Sequence, residues 1–328
     1  MATGSFSVAQ PDIRSKLLTF LKLGRPEYIV SHLYAFVPPY LATGEFHWPA
    51  FLAGVISCFI NVPFSTLINN YADRVEDSVN FPTRVEMCKR VGYKNIRNVG
   101  LAFFTLSALW TLVFVYVSNV TVALVYLFGI SIMMNYSWGL RLKRQPVLMS
   151  LVLALGFPVK FAGAWAMNRP LQTLPPVVLV LGYIMAIVGN LKNLPDTEGD
   201  KQAGVKTFFT GSLKIAIIGP FIWLSTYVLV VLLVLLRVLE PKYLIAFVTL
   251  PMALYGLWWT SRAQTVAEKE GVFRYSRLYR YVINGVVFLT FSPTVAVFVA
   301  LLLLVALNYA VSYAMDPERF NFGGIYSR

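Results

Sequence analysis

Apolar blocks of about twenty residues alternate along the chain with short polar stretches that hold most of its charge. About twenty apolar residues, wound as a helix, cross the hydrocarbon of a bilayer. Nine such blocks are read, at roughly 27–43, 50–70, 99–117, 121–138, 147–168, 176–192, 214–238, 242–261 and 282–307. The first is the most irregular, because Pro38 and Pro39 interrupt it. The pattern predicts an all-α integral membrane protein, a single membrane domain over 1–328, with polar loops joining nine transmembrane helices.

Composition agrees with this. The chain is 57% hydrophobic and 13% charged, too apolar for a soluble domain of this length. A soluble helical protein is excluded because no soluble fold encloses so many long apolar runs. The opening `MATGSFSVAQPDIRSKLLTF` has neither the apolar stretch nor the cleavage site of a signal peptide. Cys58 and Cys88 imply no disulfide framework.

Charge then orients the helices. With the segment 1–26 placed in the cytoplasm, 22 of the 28 Lys and Arg residues fall in segments on that side. Five (Arg169, Arg237, Lys242, Arg319 and Arg328) fall on the other, and Lys160 lies inside the fifth block. This asymmetry predicts a cytoplasmic N-terminus and a C-terminus on the opposite side. The net charge of +13 thereby reflects topology; no separate basic domain exists to bind nucleic acid.

Chemistry gathers in two loops on the cytoplasmic side, 71–98 and 193–213. `NNYADRVEDSVNFPTR` begins at Asn69 and `KNLPDTEGDKQAGVKT` at Lys192. Asp73 and Asp77 are four residues apart, as are Asp196 and Asp200. On a helix that spacing places both carboxylates on one face, a turn apart, and Asn69 extends the first row. Like charges so placed repel unless a cation lies between them. Oxygen donors with no neighbouring Cys or His point to a hard cation, Mg²⁺ or Ca²⁺. Mg²⁺ completes its shell with water and substrate phosphate oxygens. A third stretch, `YSWGLRLKRQP` from Tyr136, supplies Arg141, Lys143 and Arg144. These are read either as membrane anchors or as contacts to a departing diphosphate.

Together these stretches resemble the UbiA superfamily of intramembrane prenyltransferases. Asn69, Asn70, Asp73, Asp77, Asn80, Pro82 and Arg84 follow the family's first motif. Lys192, Asn193, Asp196, Gly199, Asp200, Gly204 and Thr207 follow its second, and Tyr136, Ser137, Arg141 and Lys143 its intervening segment. Arg25-Pro26 also fits. The resemblance implies nine helices around a central cavity under a cytoplasmic cap of loop helices. It implies Mg²⁺ held by Asp73, Asp77, Asp196 and Asp200 with Asn69, and Asn70 and Asn193 are carried as further candidates. It also implies a prenyl diphosphate substrate, ionised to an allylic cation and transferred to an aromatic or other lipophilic acceptor. Arg84, Tyr136, Arg141, Lys143 and Lys192 are the expected diphosphate contacts. Arg25, Trp138, Phe157, Lys160, Trp165 and Tyr183 are expected to line the cavity.

The sequence departs from the family pattern where Asn70 and Asn193 replace the common Asp, where Phe81 and Val85 replace Arg and Pro, and where `SWGL` replaces a Pro-Pro turn. A terpene cyclase of the same family, in which the chain's own double bonds capture the cation, is the alternative. The 15% aromatic content would serve such a cavity. A transporter is the remote alternative; it would place its charges near the midplane rather than at one interface.

Overall fold

The computed structural model describes residues 13–202, 204–211 and 215–315, and within them every regular element is helical. The chain opens with α1 (Ile13–Leu23), α2 (Pro26–Ala42) and α3 (Trp48–Ala72). Two short helices follow, α4 (Glu76–Asn80) and α5 (Pro82–Val91). Then come α6 (Tyr93–Val117), α7 (Val120–Ser137), α8 (Pro146–Ala166) and α9 (Val177–Ile187), the last prolonged by a 3-10 segment over Val188–Asn193. After α10 (Thr197–Gln202) the bundle closes with α11 (Ile215–Leu235), α12 (Leu250–Arg262), α13 (Val266–Phe291) and α14 (Val295–Met315).

Local chemistry sets the helix ends. Proline occupies the first turn of α2, α3, α5 and α8, where its missing N–H costs nothing. Asn119 caps α7 through the Val122 N–H at 3.0 Å. Thr265 and Glu268 form a reciprocal capping box at the start of α13.

Among the described residues, seven helices are long and apolar enough to cross a membrane: α3, α6, α7, α8, α11, the Pro241–Arg262 segment that ends in α12, and α14. The Val177–Asn193 helix is shorter and apolar; α2 and α13, which carry more polar residues, pack among the others. The expected nine is not reproduced by that criterion, and its last member needs correction. The block at 282–307 is the end of α13 and the start of α14, broken at Ser292–Thr294. Pro293 supplies no N–H and bars helical backbone before it, yet apolar residues continue on both sides, so hydropathy alone merges them. The break reverses the chain. Asn308 near the end of α14 donates to the Glu27 carbonyl at 2.7 Å, in the first turn of α2. α14 therefore ends on the side of the bundle where α2 begins, not on the far side; residues 316–328 lie outside the described residues.

Buried polar groups inside the bundle are served by one another. The Trp223 Nε1–H donates to Thr260 at 2.9 Å. Tyr279 donates to the Tyr227 hydroxyl, 3.0 Å away, which pairs in turn with Thr249 at 2.8 Å. Such bonds hold helices together where lipid offers no hydrophobic drive. Outward faces, with Leu109, Leu112, Leu302 and Leu303 exposed, are apolar.

Candidate active site

Both acidic motifs end helices at the same end of the bundle. α3 stops at Ala72, so Asp73 and Asp77 do not share one continuous helix. Their spacing is kept by a turn in which the Asp77 N–H donates to the Asp73 carbonyl at 2.7 Å. The second motif repeats the device: after the 3-10 segment tightens the end of α9, the Asp200 N–H donates to the Asp196 carbonyl at 3.0 Å. The short helices α4 and α10 pack together, and the Gly199 N–H donates to Asn80 Oδ1 at 3.0 Å. A Cβ on Gly199 would lie 2.3 Å from that oxygen, so only glycine allows the motifs to meet here.

The two motifs and several cations line one cavity of about 550 Å³. Asn69, Asp73, Asp77, Asn193, Asp196 and Asp200 are on its wall, as are Arg25, Arg84, Tyr136, Lys143 and Lys192. Asp73 pairs with Lys143, Asp77 with Arg84 at 3.2 Å, and Glu76 with Arg144 at 2.9 Å. Phe81 lies under the Arg84 guanidinium, 3.9 Å from its ring centre, a cation–π contact that steadies the pair. Asn69 Oδ1 accepts from Ser137 at 2.7 Å. Arg25 takes a left-handed backbone, φ 50°, between α1 and α2 and reaches the Tyr28 hydroxyl at 3.3 Å. Lys192 donates to the Tyr136 hydroxyl.

Burial sets the protonation of the groups outside the helical spans. It raises the Asp196 carboxyl to about 7, with the neighbouring Asp200 charge adding to the effect. It raises Asp200 to about 6 against the opposing pull of Lys143. Asp77 is raised by burial despite Arg84, which burial lowers to about 10. Burial lowers Lys143 to about 7. Four carboxylates and an amide are all oxygen donors, the chemistry that suits a hard divalent cation such as Mg²⁺, but among the described residues no three acidic, His or Cys side chains are gathered closely enough to hold an ion as they stand.

Five expected site residues lie elsewhere. Asn70 is buried at 2% exposure, and its Nδ2 donates to the Leu23 carbonyl at 3.0 Å, tying α3 to α1. It faces away from the acidic cluster, and a carboxylate there would oppose a carbonyl; this is why an amide stands in that place. Trp138 packs edge-on against Tyr71. Trp165 stacks with Phe161 and donates to Thr173 at 3.1 Å. Tyr183 packs against the apolar core beside α9. Arg141 stands in a left-handed turn, φ 51°, off the cavity wall. Phe157 and Lys160 do line the cavity. So do residues the sequence reading omitted: His32, Asn61, Arg277, Arg280 and Asn284. The spacing of Arg274, Arg277, Arg280 and Asn284 on α13 was the available signal, since three- and four-residue steps share a helix face.

The bundle thus joins seven helices of membrane-spanning length to two acidic motifs that meet over one cavity. The family model described as the UbiA prenyltransferase family matches residues 34–283, and the chain belongs to that family. Among solved structures, a digeranylgeranylglyceryl phosphate synthase is similar with a TM-score of 0.59 and 16% identity, over 86% of this chain and 99% of the other. A UbiA homologue from Archaeoglobus fulgidus bound to GPP and Mg²⁺ is similar with a TM-score of 0.53 and 20% identity, over 89% of this chain and 99% of the other. These likenesses show the fold. In sequence, a 2-acyl-4-prenylphloroglucinol 6-prenyltransferase of Humulus lupulus is 30% identical over 81 residues, 23% of this chain and 20% of that protein. A homogentisate solanesyltransferase of Arabidopsis thaliana is 33% identical over 100 residues, 27% of this chain. The match spans about a quarter of that relative's length.

Proposed function

We propose that the protein ionises an allylic prenyl diphosphate within the membrane and transfers the prenyl group to a lipophilic acceptor, in the first instance an aromatic one. One observation carries this reading: both acidic motifs and four of the five expected diphosphate contacts share a single cavity that apolar and aromatic side chains also line. Leu155 lines that cavity while 38% exposed, and a prenyl tail would pass toward lipid beside it. The relatives named for an acylphloroglucinol and for homogentisate support an aromatic acceptor.

In this reading Asp73, Asp77, Asp196 and Asp200, with Asn69, would hold Mg²⁺, which when bound offsets the negative charge that develops on the leaving diphosphate. Asn193 borders the same site. Arg84, Lys143 and Lys192 lie where they can bind the diphosphate oxygens, and Tyr136 can donate to the same group. Phe157 and the aromatic rings below them offer π faces to an allylic cation and exclude water. The basic loops orient this mouth toward the cytoplasm, and the short helices of 71–98 and 193–213 act as its cap.

Capture by the chain's own double bonds is the second reading, favoured by Tyr34, Tyr126, Phe157 and Tyr281 on the cavity wall. Transfer is preferred because Lys160 and His32 also line the cavity, and a hydrocarbon cyclisation needs neither. Purified protein incubated with geranyl, farnesyl and geranylgeranyl diphosphates and Mg²⁺, with no acceptor, separates the two. Cyclic hydrocarbon or alcohol would favour the cyclase. Products appearing only when an aromatic acceptor is added would favour transfer.

A further inference from the structure

We propose that Lys160 and His32 form the site for the acceptor's oxygen, a pair that binds the acidic hydroxyl of a phenol or enol and takes up its proton. This rests on the prenyl-transfer reading and adds the class of acceptor and the residues that select it. Lys160 projects from α8 and His32 from α2, with Nζ 2.7 Å from Nδ1. Both line the cavity. No carboxylate pairs with Lys160 among the described residues.

An amine inside a membrane bundle without a carboxylate is expensive when charged. Two bases in contact are also a poor structural tie between helices, which this bundle elsewhere makes with hydroxyls and amides. The arrangement instead suits a ligand with an acidic hydroxyl, whose oxygen becomes the counter-charge once its proton reaches the amine. Asn284 lines the same cavity, with its Oδ1 buried and unpartnered among the described residues, and would accept from a second hydroxyl. His32 lies seven residues beyond Arg25, about 10 Å along α2. An aromatic ring anchored through its oxygen at the pair covers part of that distance and brings a ring carbon toward the allylic carbon under the diphosphate.

The step balances as follows. The acceptor O–H bond breaks, its proton passes to the neutral Nζ of Lys160, and the oxygen keeps the electron pair. The ring or enol carbon gives an electron pair to the allylic carbon as the allylic C–O bond breaks, and diphosphate leaves with that bonding pair. The hydrogen on the attacked carbon passes as a proton to the departing diphosphate, which restores the oxyanion. Lys160 returns its proton to the oxygen as product leaves. The net exchange is prenyl for hydrogen, with no oxidant or reductant.

The test uses 4-nitrophenol, whose phenolate absorbs at longer wavelength than its phenol, with full-length protein in detergent carrying Mg²⁺ and geranyl thiolodiphosphate. The buffer is held below the free probe's own pKa, where micelles alone favour the phenol. The expected result is a saturable phenolate band with the parent protein. In Lys160→Met the probe should bind about tenfold more weakly or worse and lose the band, whereas Lys160→Arg should bind the probe without taking its proton. Thermal unfolding of each variant separates a folding defect from a binding defect. The proposal is overturned if the parent shows no phenolate band, or if folded Lys160→Met keeps it. Binding of geranyl thiolodiphosphate by the parent is scored separately: its absence would overturn the prenyl-transfer reading itself, and its presence without the band would overturn only the acceptor site.

Discussion

The two acidic motifs share a backbone turn and a cavity wall, yet their carboxylates live differently. Asp73, Glu76 and Asp77 each meet a cation, from the 141–146 stretch or from α5. Asp196 and Asp200 form no ion pair among the described residues, and burial raises both carboxyls, with the Asp200 charge adding to the effect on Asp196 and the Glu76 and Asp77 charges to that on Asp200. The difference shows that equal spacing in sequence does not give equal electrostatics. The first motif is matched internally and shares its cations with whatever anion enters the cavity. The second has no ion-pair partner of its own among the described residues, and in the proposed reading a metal would supply its counter-charge.

The largest effect that would break this comparison is on turnover. Replacing any of Asp73, Asp77, Asp196 or Asp200 by Ala should reduce diphosphate release by at least about a hundredfold, with double variants little worse than singles, as for groups that act as one unit. Chelation by EDTA should do the same. Full activity in two of the four variants would remove the shared metal site.

Stability should then separate the motifs. In EDTA, Asp77→Asn leaves Arg84 buried without its partner and should cost about 3 kcal/mol. Asp196→Asn removes a buried charge with no ion-pair partner and should leave the melting temperature unchanged or raised. Equal losses in the two variants would contradict the asymmetry. Gly199→Ala, which forces a Cβ against Asn80 Oδ1, should cost about 2 kcal/mol and lower turnover by parting the motifs; thermal unfolding and rate together check it.

A smaller effect follows from pH. Mg²⁺ must displace protons from Asp196 and Asp200, whose values are raised to about 7 and about 6. The Mg²⁺ concentration at half-maximal rate should therefore rise several-fold as pH falls through 7, and the dependence should flatten in Asp196→Asn. Without metal the sign reverses. Raised carboxyl values favour the protonated folded form, so this contribution to stability is present at low pH and lost as pH rises through 7. The smallest effect concerns Asn70. Asn70→Asp should cost about 1 kcal/mol by setting an acceptor against the Leu23 carbonyl, while Mg²⁺ dependence stays unchanged. A shift in Mg²⁺ dependence would place Asn70 back at the metal.

The sequence by itself determined the membrane class, the helices whose ends are marked by caps and charged loops, and the two acidic motifs. These are local properties: hydropathy, proline and glycine placement, and four-residue spacing act over one or two turns. Hydropathy alone did not resolve Ser292–Thr294, because apolar residues continue on both sides of the break; Pro293 was the sequence signal that marked it. Nor could the sequence aim side chains. Asn69 and Asn70 are neighbours, yet one meets Ser137 at the cavity and the other Leu23 behind it, since adjacent positions on a helix point about 100° apart and only packing decides which faces inward. The meeting of His32 with Lys160, 128 residues apart, was settled by the docking of α2 against α8. Long-range pairs of this kind carry no local signal, because their energy exists only once both helices are packed.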